Sequence, residues 1–163
     1  MGVFNYYGLA VIIIIMIPNI MWAAKQKGCY TEYYSNKIIG TLEQIGRFGC
    51  FITMIVNIPF TYLGFWTKDF LPAYIAVNAV LVTIYIVTWI VKGNRESIAC
   101  ALILAIVPSI IFIFDGIAVR SLLLFALSLI FAPTHILISY KNSSAACKAA
   151  EKAAEDSSGS VNG

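Results

Sequence analysis

Charge is what this chain lacks. Of its 163 residues, 12% are Asp, Glu, Lys or Arg and 60% are hydrophobic. Soluble domains carry about 25% charged residues. A small globule leaves much of its surface in water and could not hide such an apolar excess, so a soluble fold is excluded. Acids and histidine are scarcer still, with eight Asp plus Glu and one His. A lone His135 without neighbouring Cys, Asp or Glu cannot complete a zinc site. None of the four cysteines forms a CxxC pair, so the usual redox and zinc spacings are missing. No cofactor and no nucleic-acid partner are expected.

What the chain does have is long apolar runs. Ile12 to Ile15 and Ile110 to Ile113 do not alternate, as outer-membrane strands would. A spanning helix needs about 20 apolar residues, and in lipid the backbone must satisfy itself. The pattern predicts an all-α polytopic membrane bundle of five transmembrane helices, with spans near 3–24, 48–66, 70–91, 97–114 and 121–140. No Lys or Arg precedes Lys25, so the first run reads as a retained span rather than a signal peptide. Residues 141–163 are rich in Ala, Ser, Lys and Glu and read as a largely disordered tail.

Basic residues segregate. Lys25, Lys27, Lys37, Arg47, Lys92, Arg95, Lys141, Lys148 and Lys152 fall on one side of the five spans, and Lys68 and Arg120 on the other. By the positive-inside rule the N-terminus is outside and the C-terminus cytoplasmic. Trp22, Trp66 and Trp89 each fall near a span end, the level that tryptophan prefers. Cys29, Cys50, Cys100 and Cys147 all map to the cytoplasmic half, where thiols stay reduced.

Within the first loop, Ile38, Ile39, Leu42 and Ile45 share one helical face, which predicts an interfacial helix leading into the second span. Glu43 and Arg47, spaced i,i+4, form a candidate pair at the inner face. Pro18, Pro59, Pro108 and Pro133 interrupt spans, and polar residues stand beside them. Asn19, Asn57, Asn78, Ser109 and His135 form a candidate polar cluster, which either lines a cavity at kinked helices or satisfies itself between helices. No charged side chain is expected at the centre of a span, which argues against an ion-coupled pump. Ser97, Ala101, Ala105 and Ser109 make a small-residue stripe on span 4, and Ser128 with Ala132 a matching pair on span 5. Such seams let helices approach closely.

Two resemblances touch the chain. Asp115-Gly116-Ile117-Ala118-Val119-Arg120 is similar to part of the signature of CDP-alcohol phosphotransferases, whose several aspartates hold metals. The flanking aspartates are absent here, and Asp69, Asp115 and Asp156 are the only ones in the chain, so the segment reads as a turn. Leu42 to Cys50, Asn57-Ile58-Pro59, Pro108 to Phe112, Arg120-Ser121 and His135 to Tyr140 resemble a family of small, uncharacterised bacterial integral membrane proteins. That resemblance implies a bacterial cytoplasmic membrane and assigns no activity or site residue.

The expected function is therefore a non-catalytic accessory or interaction protein, not an enzyme. Its partners would be the lipid bilayer and either a second copy or a membrane partner protein. A small transporter or permease subunit with a polar site near Asn57 and Asn78 is the first alternative. A lipid-modifying membrane enzyme using Glu43 and Arg47 is the second.

Overall fold

The computed structural model describes residues 4–25, 34–66, 70–92 and 97–159, with side chains described as far as Lys152. The chain is all-α. Helices α1 (Tyr6–Lys25), α2 (Lys37–Ile55), α3 (Phe70–Lys92), α4 (Ile98–Ala118) and α5 (Leu122–Gly159) follow one another. All five are long and apolar enough to cross a membrane. An odd number of crossings separates the chain ends. The face where α1 begins is called the first face. The opposite one, bearing Lys25, Lys37 and Lys92 at helix ends, is the basic face.

Local chemistry sets the boundaries. Asn36 caps α2, its side chain accepting from the backbone N–H of Ile38 and Ile39 at 3.1 and 3.2 Å. Pro59 lacks a donor and keeps its predecessor out of helical geometry, so α2 stops at Ile55 instead of running on. The chain then turns through left-handed backbone at Phe60 (φ 69°) and Gly64 (φ 83°). Ser97 caps α4 by accepting from Cys100 N–H at 3.4 Å.

Residues 56–66 form a cap over the first face. Phe4 bridges Val56, and Tyr62 bridges Ser121. Leu63 N–H donates to the Arg120 carbonyl at 3.2 Å, and Leu122 N–H to the Thr61 carbonyl at 2.9 Å. Trp66 donates its indole N–H to the Ile117 carbonyl at 3.1 Å, with the Arg120 guanidinium 5.0 Å from a ring centroid of the same indole. At the basic face Trp22 and Trp89 lie 6.2 Å apart, and Lys92 approaches both rings. The tryptophans thus occupy both ends of the bundle, as their headgroup preference requires.

The interior is closely packed. A Cβ on Gly46 would stand 2.9 Å from the backbone of Phe131, and one on Gly116 2.9 Å from that of Phe125. Only glycine lets α2 and α4 approach α5 so nearly. Ala105, Ser109, Ser128 and Ala132 are all buried, in keeping with the small-residue seam; Ser97 is instead the N-cap of α4. Phe51, Phe112 and Phe131 meet edge to face, with centroids 5.8 and 5.4 Å apart. In hydrocarbon, such packing is the main force between helices.

Three expectations shift. The second membrane-length helix is 37–55 rather than 48–66, so the predicted interfacial helix is its first half. The physical reason is the Asn36 cap at one end and Pro59 at the other. Cys50 therefore sits five residues before the first-face end of α2, not at the basic face. Cys29 lies outside the described residues. Finally, α5 continues as helix as far as Gly159, into the segment read as a disordered tail. There Tyr34 N–H donates to Asn142 Oδ1 at 2.8 Å, and Lys141 lies over the Tyr34 ring.

Candidate functional site

Among the described residues two carboxyl side chains are buried, one in each half of the bundle. Glu43 is 3% exposed and Asp115 1%. Neither could stand in an apolar interior without partners.

Glu43 lies six residues into α2, about 9 Å from its start at ~1.5 Å per residue. The helix delivers Arg47 one turn later, where its Nε donates to Glu43 Oε1 at 2.9 Å and its terminal nitrogen makes a second bond to the same oxygen. From α5, His135 places Nδ1 3.0 Å from that oxygen, its ring stacked on Phe131 at 4.6 Å. With Glu43 ionised opposite Arg47, the imidazole nitrogen is the donor. Arg47 falls near the middle of α2, about 15 Å from one end and about 12 Å from the other. The charged pair therefore lies within a membrane-length helix, farther from its basic-face end than the inner-face position expected from the sequence.

The same level carries Asn19 of α1 and Tyr85 of α3. The Tyr85 hydroxyl donates to Asn19 Oδ1 at 2.9 Å, and Asn19 donates to the Ile15 carbonyl at 3.2 Å. Glu43, Tyr85, Asn19 and His135 all lie roughly 18–22 Å from the first-face ends of their helices. They form a polar layer drawn from four helices.

Asp115 is built differently. It occupies the last turn of α4. Tyr74 and Asn78, one turn apart on α3, face it together. The Tyr74 hydroxyl donates to Oδ2 at 3.0 Å, and the Asn78 amide nitrogen donates to Oδ1 at 2.8 Å. Asn78 also donates to the Tyr74 carbonyl at 3.1 Å. Among the described residues no cationic side chain bonds to Asp115, and Asn78 Oδ1 is buried without a hydrogen-bond partner. Phe65 and Phe114 pack on the Tyr74 ring at 5.3 and 6.2 Å. Tyr62, in the cap, is half-buried, and that burial pushes its hydroxyl above the ordinary tyrosine range.

The five polar residues singled out in the sequence thus do not form one cluster. Asn19 and His135 share the mid-bundle layer, while Asn78 belongs to the Asp115 group. Ser109 is buried and donates to the Ala105 carbonyl at 2.8 Å, a helix-internal bond. Asn57 lies in the cap. Tyr74, Tyr85 and Asp115 were missed. The i,i+4 spacing of Tyr74 and Asn78 was the available signal for the first; Asp115 was masked by its Asp-Gly turn chemistry. Among the described residues no three His, Cys, Asp or Glu side chains converge on a metal-sized site.

Comparison with protein-family models, curated proteins and solved structures returns no match. No family is identified for the chain, and function is argued from its own geometry.

Proposed function

We propose that this polytopic membrane protein is a non-catalytic accessory component that works by binding another membrane protein through the outward face of α2. The observation that carries this reading is the composition of that face. α2 holds the least apolar of the five membrane-length stretches. Its exposed residues include Thr41 and Gln44 among Ile38, Ile45, Phe48 and Ile52. Gln44 lies about 10 Å inside the helix start. An amide at that depth is poorly served by lipid chains and well served by a polar group on a neighbouring helix. Glu43, His135, Asn19, Tyr85, Tyr74, Asn78 and Asp115, by contrast, bond to one another across helices.

The setting belongs to the same proposal. The excess of Lys and Arg at the basic face supports a cytoplasmic location for that face, with the N-terminus outside. A bacterial cytoplasmic membrane is the setting in which such a chain and its anionic headgroups would meet.

Photo-crosslinking from positions 45 and 48 in native membranes, which leaves Gln44 in place, tests the reading. A discrete protein adduct that disappears on Gln44→Leu is expected. Crosslinks to lipid alone would overturn it.

The second reading, a small transporter or permease subunit, draws support from Arg47. Its side chain is 35% exposed at mid-depth, and a charge so placed commonly marks a substrate path. Anion uptake into vesicles that is lost in Arg47→Gln, with α2 adducts absent, would favour that reading over the first.

A further inference from the structure

We propose that the partner on the outward face of α2 is a second copy of this chain, the two α2 helices lying parallel and meeting along Ile38, Thr41, Ile45, Phe48 and Ile52. The inference rests on the partner-binding reading and names its partner.

Spacing is the first ground. The five residues are separated by three and four positions in turn, and the three isoleucines recur at every seventh residue. Ile38, Ile45, Phe48 and Ile52 are 73%, 55%, 57% and 57% exposed, and Thr41 is exposed among them. From Ile38 to Ile52 the stripe runs about 21 Å, most of the length of α2. A seven-residue repeat keeps two helices in contact along one stripe as they wind round each other to the left. A β-branched residue at the position Ile38, Ile45 and Ile52 share suits a parallel two-stranded pair.

Orientation is the second ground. Copies of one chain enter a membrane the same way round. A two-fold axis along the membrane normal therefore sets their α2 helices parallel, with each residue at the depth of its counterpart. Like charges would then meet and repel, and the five residues carry none. A second copy matches the register by symmetry, which a helix of another sequence need not do.

The third ground is Gln44. In a parallel pair, the hole that receives Ile45 of one copy is formed by Thr41, Gln44, Ile45 and Phe48 of the other. All four are exposed, and among the described residues the Gln44 amide makes no hydrogen bond. The pairing covers that amide with protein in place of lipid chains. The outward face of α3 makes no such demand. It exposes Val80 and Val87 with Thr83, whose hydroxyl donates to the Ala79 carbonyl at 2.7 Å.

A photo-crosslinking residue in place of Ile45 or Ile52 of the full-length chain, co-expressed with a copy bearing a different tag, tests the pairing in native membranes. An adduct carrying both tags is expected, and from position 45 the link should map to residues 41–48 of the other copy. The same probe in place of Val80 on α3 should lose that adduct. Equal yields from 45 and 80 would mark chance encounters and overturn the proposal, as would links that map to another helix. Adducts with a different protein, and none carrying both tags, would overturn it and leave the partner-binding reading standing. Crosslinks to lipid alone would overturn both. Positions 45 and 52 lie outside the packed interior, and either one decides should the other variant fail to fold.

Discussion

Glu43 and Asp115 are the same chemical group placed in one bundle under opposite rules. Glu43 has its counter-charge one helical turn away in Arg47, with His135 added from α5. Asp115 has hydroxyl and amide dipoles from α3 and, among the described residues, no cation. The first is a closed ion pair joining α2 to α5. The second is a carboxyl held, among the described residues, by neutral donors alone and joining α3 to α4. The difference lies in where each compensating group comes from. A local i,i+4 pair forms with the helix itself, while Asp115 depends on a helix that precedes it by 37 residues at its nearer contact.

Breaking each site should expose this difference. Arg47→Ala carries the largest expected effect. It removes the full counter-charge of buried Glu43 and leaves only the His135 contact, at a cost of about 3 kcal/mol. Thermal unfolding in detergent, followed by thiol-dye reaction with buried Cys50, would read it. A loss no greater than that of a surface substitution would remove the closed-pair description.

Gly46→Leu comes next. Its side chain would collide with the Phe131 backbone, which a Cβ alone approaches to 2.9 Å. Overpacking of this kind costs ~1–3 kcal/mol, and it should also pull His135 away from Glu43. The same unfolding assay, with His135 chemical shifts as a second readout, checks it.

His135→Phe keeps an aromatic ring beside Phe131 and removes one bond to Glu43. A loss of about 1 kcal/mol is expected, since Arg47 still neutralises the carboxylate.

Asp115→Asn should cost least. Replacing a buried carboxyl that has no bonded cation by an amide of the same shape is expected to change stability by under ~1 kcal/mol, or to raise it. A loss as large as that of Arg47→Ala would mean that Asp115 has a structural counter-charge, and the contrast between the two sites would collapse.

Much of the architecture is legible in composition. Runs such as Ile12 to Ile15 have no stable setting but hydrocarbon, and the five helices follow. Small residues at Ala105, Ser109, Ser128 and Ala132 announce the buried seam because close approach needs them whatever the partner. The second helix is harder. Hydropathy favours 48–66, but hydropathy does not weigh the backbone: Pro59 ends the helix, Asn36 begins it, and Glu43 with Arg47 neutralise each other sufficiently to be carried inside. The polar residues were legible as types and not as partners. Asn19 meets Tyr85 across 66 residues, and Asn78 meets Asp115 across 37. Such pairings depend on helix rotation, which no local pattern encodes. Asp115 looked like a turn residue since Asp-Gly is turn chemistry, yet α4 runs past both before Arg120 takes the left-handed conformation.

The most direct test concerns which stretch of the chain lies in hydrocarbon. Single cysteines placed at 38–64, with the native cysteines replaced, would be challenged with a charged, impermeant maleimide in membranes opened to both sides. The helix boundaries predict protection across about 41–54 and labelling at exposed Phe60 and Leu63 in the cap. Protection that instead covers 48–64, with free labelling at 44 and 45, would place Glu43 and Arg47 in water and contradict the buried charged pair.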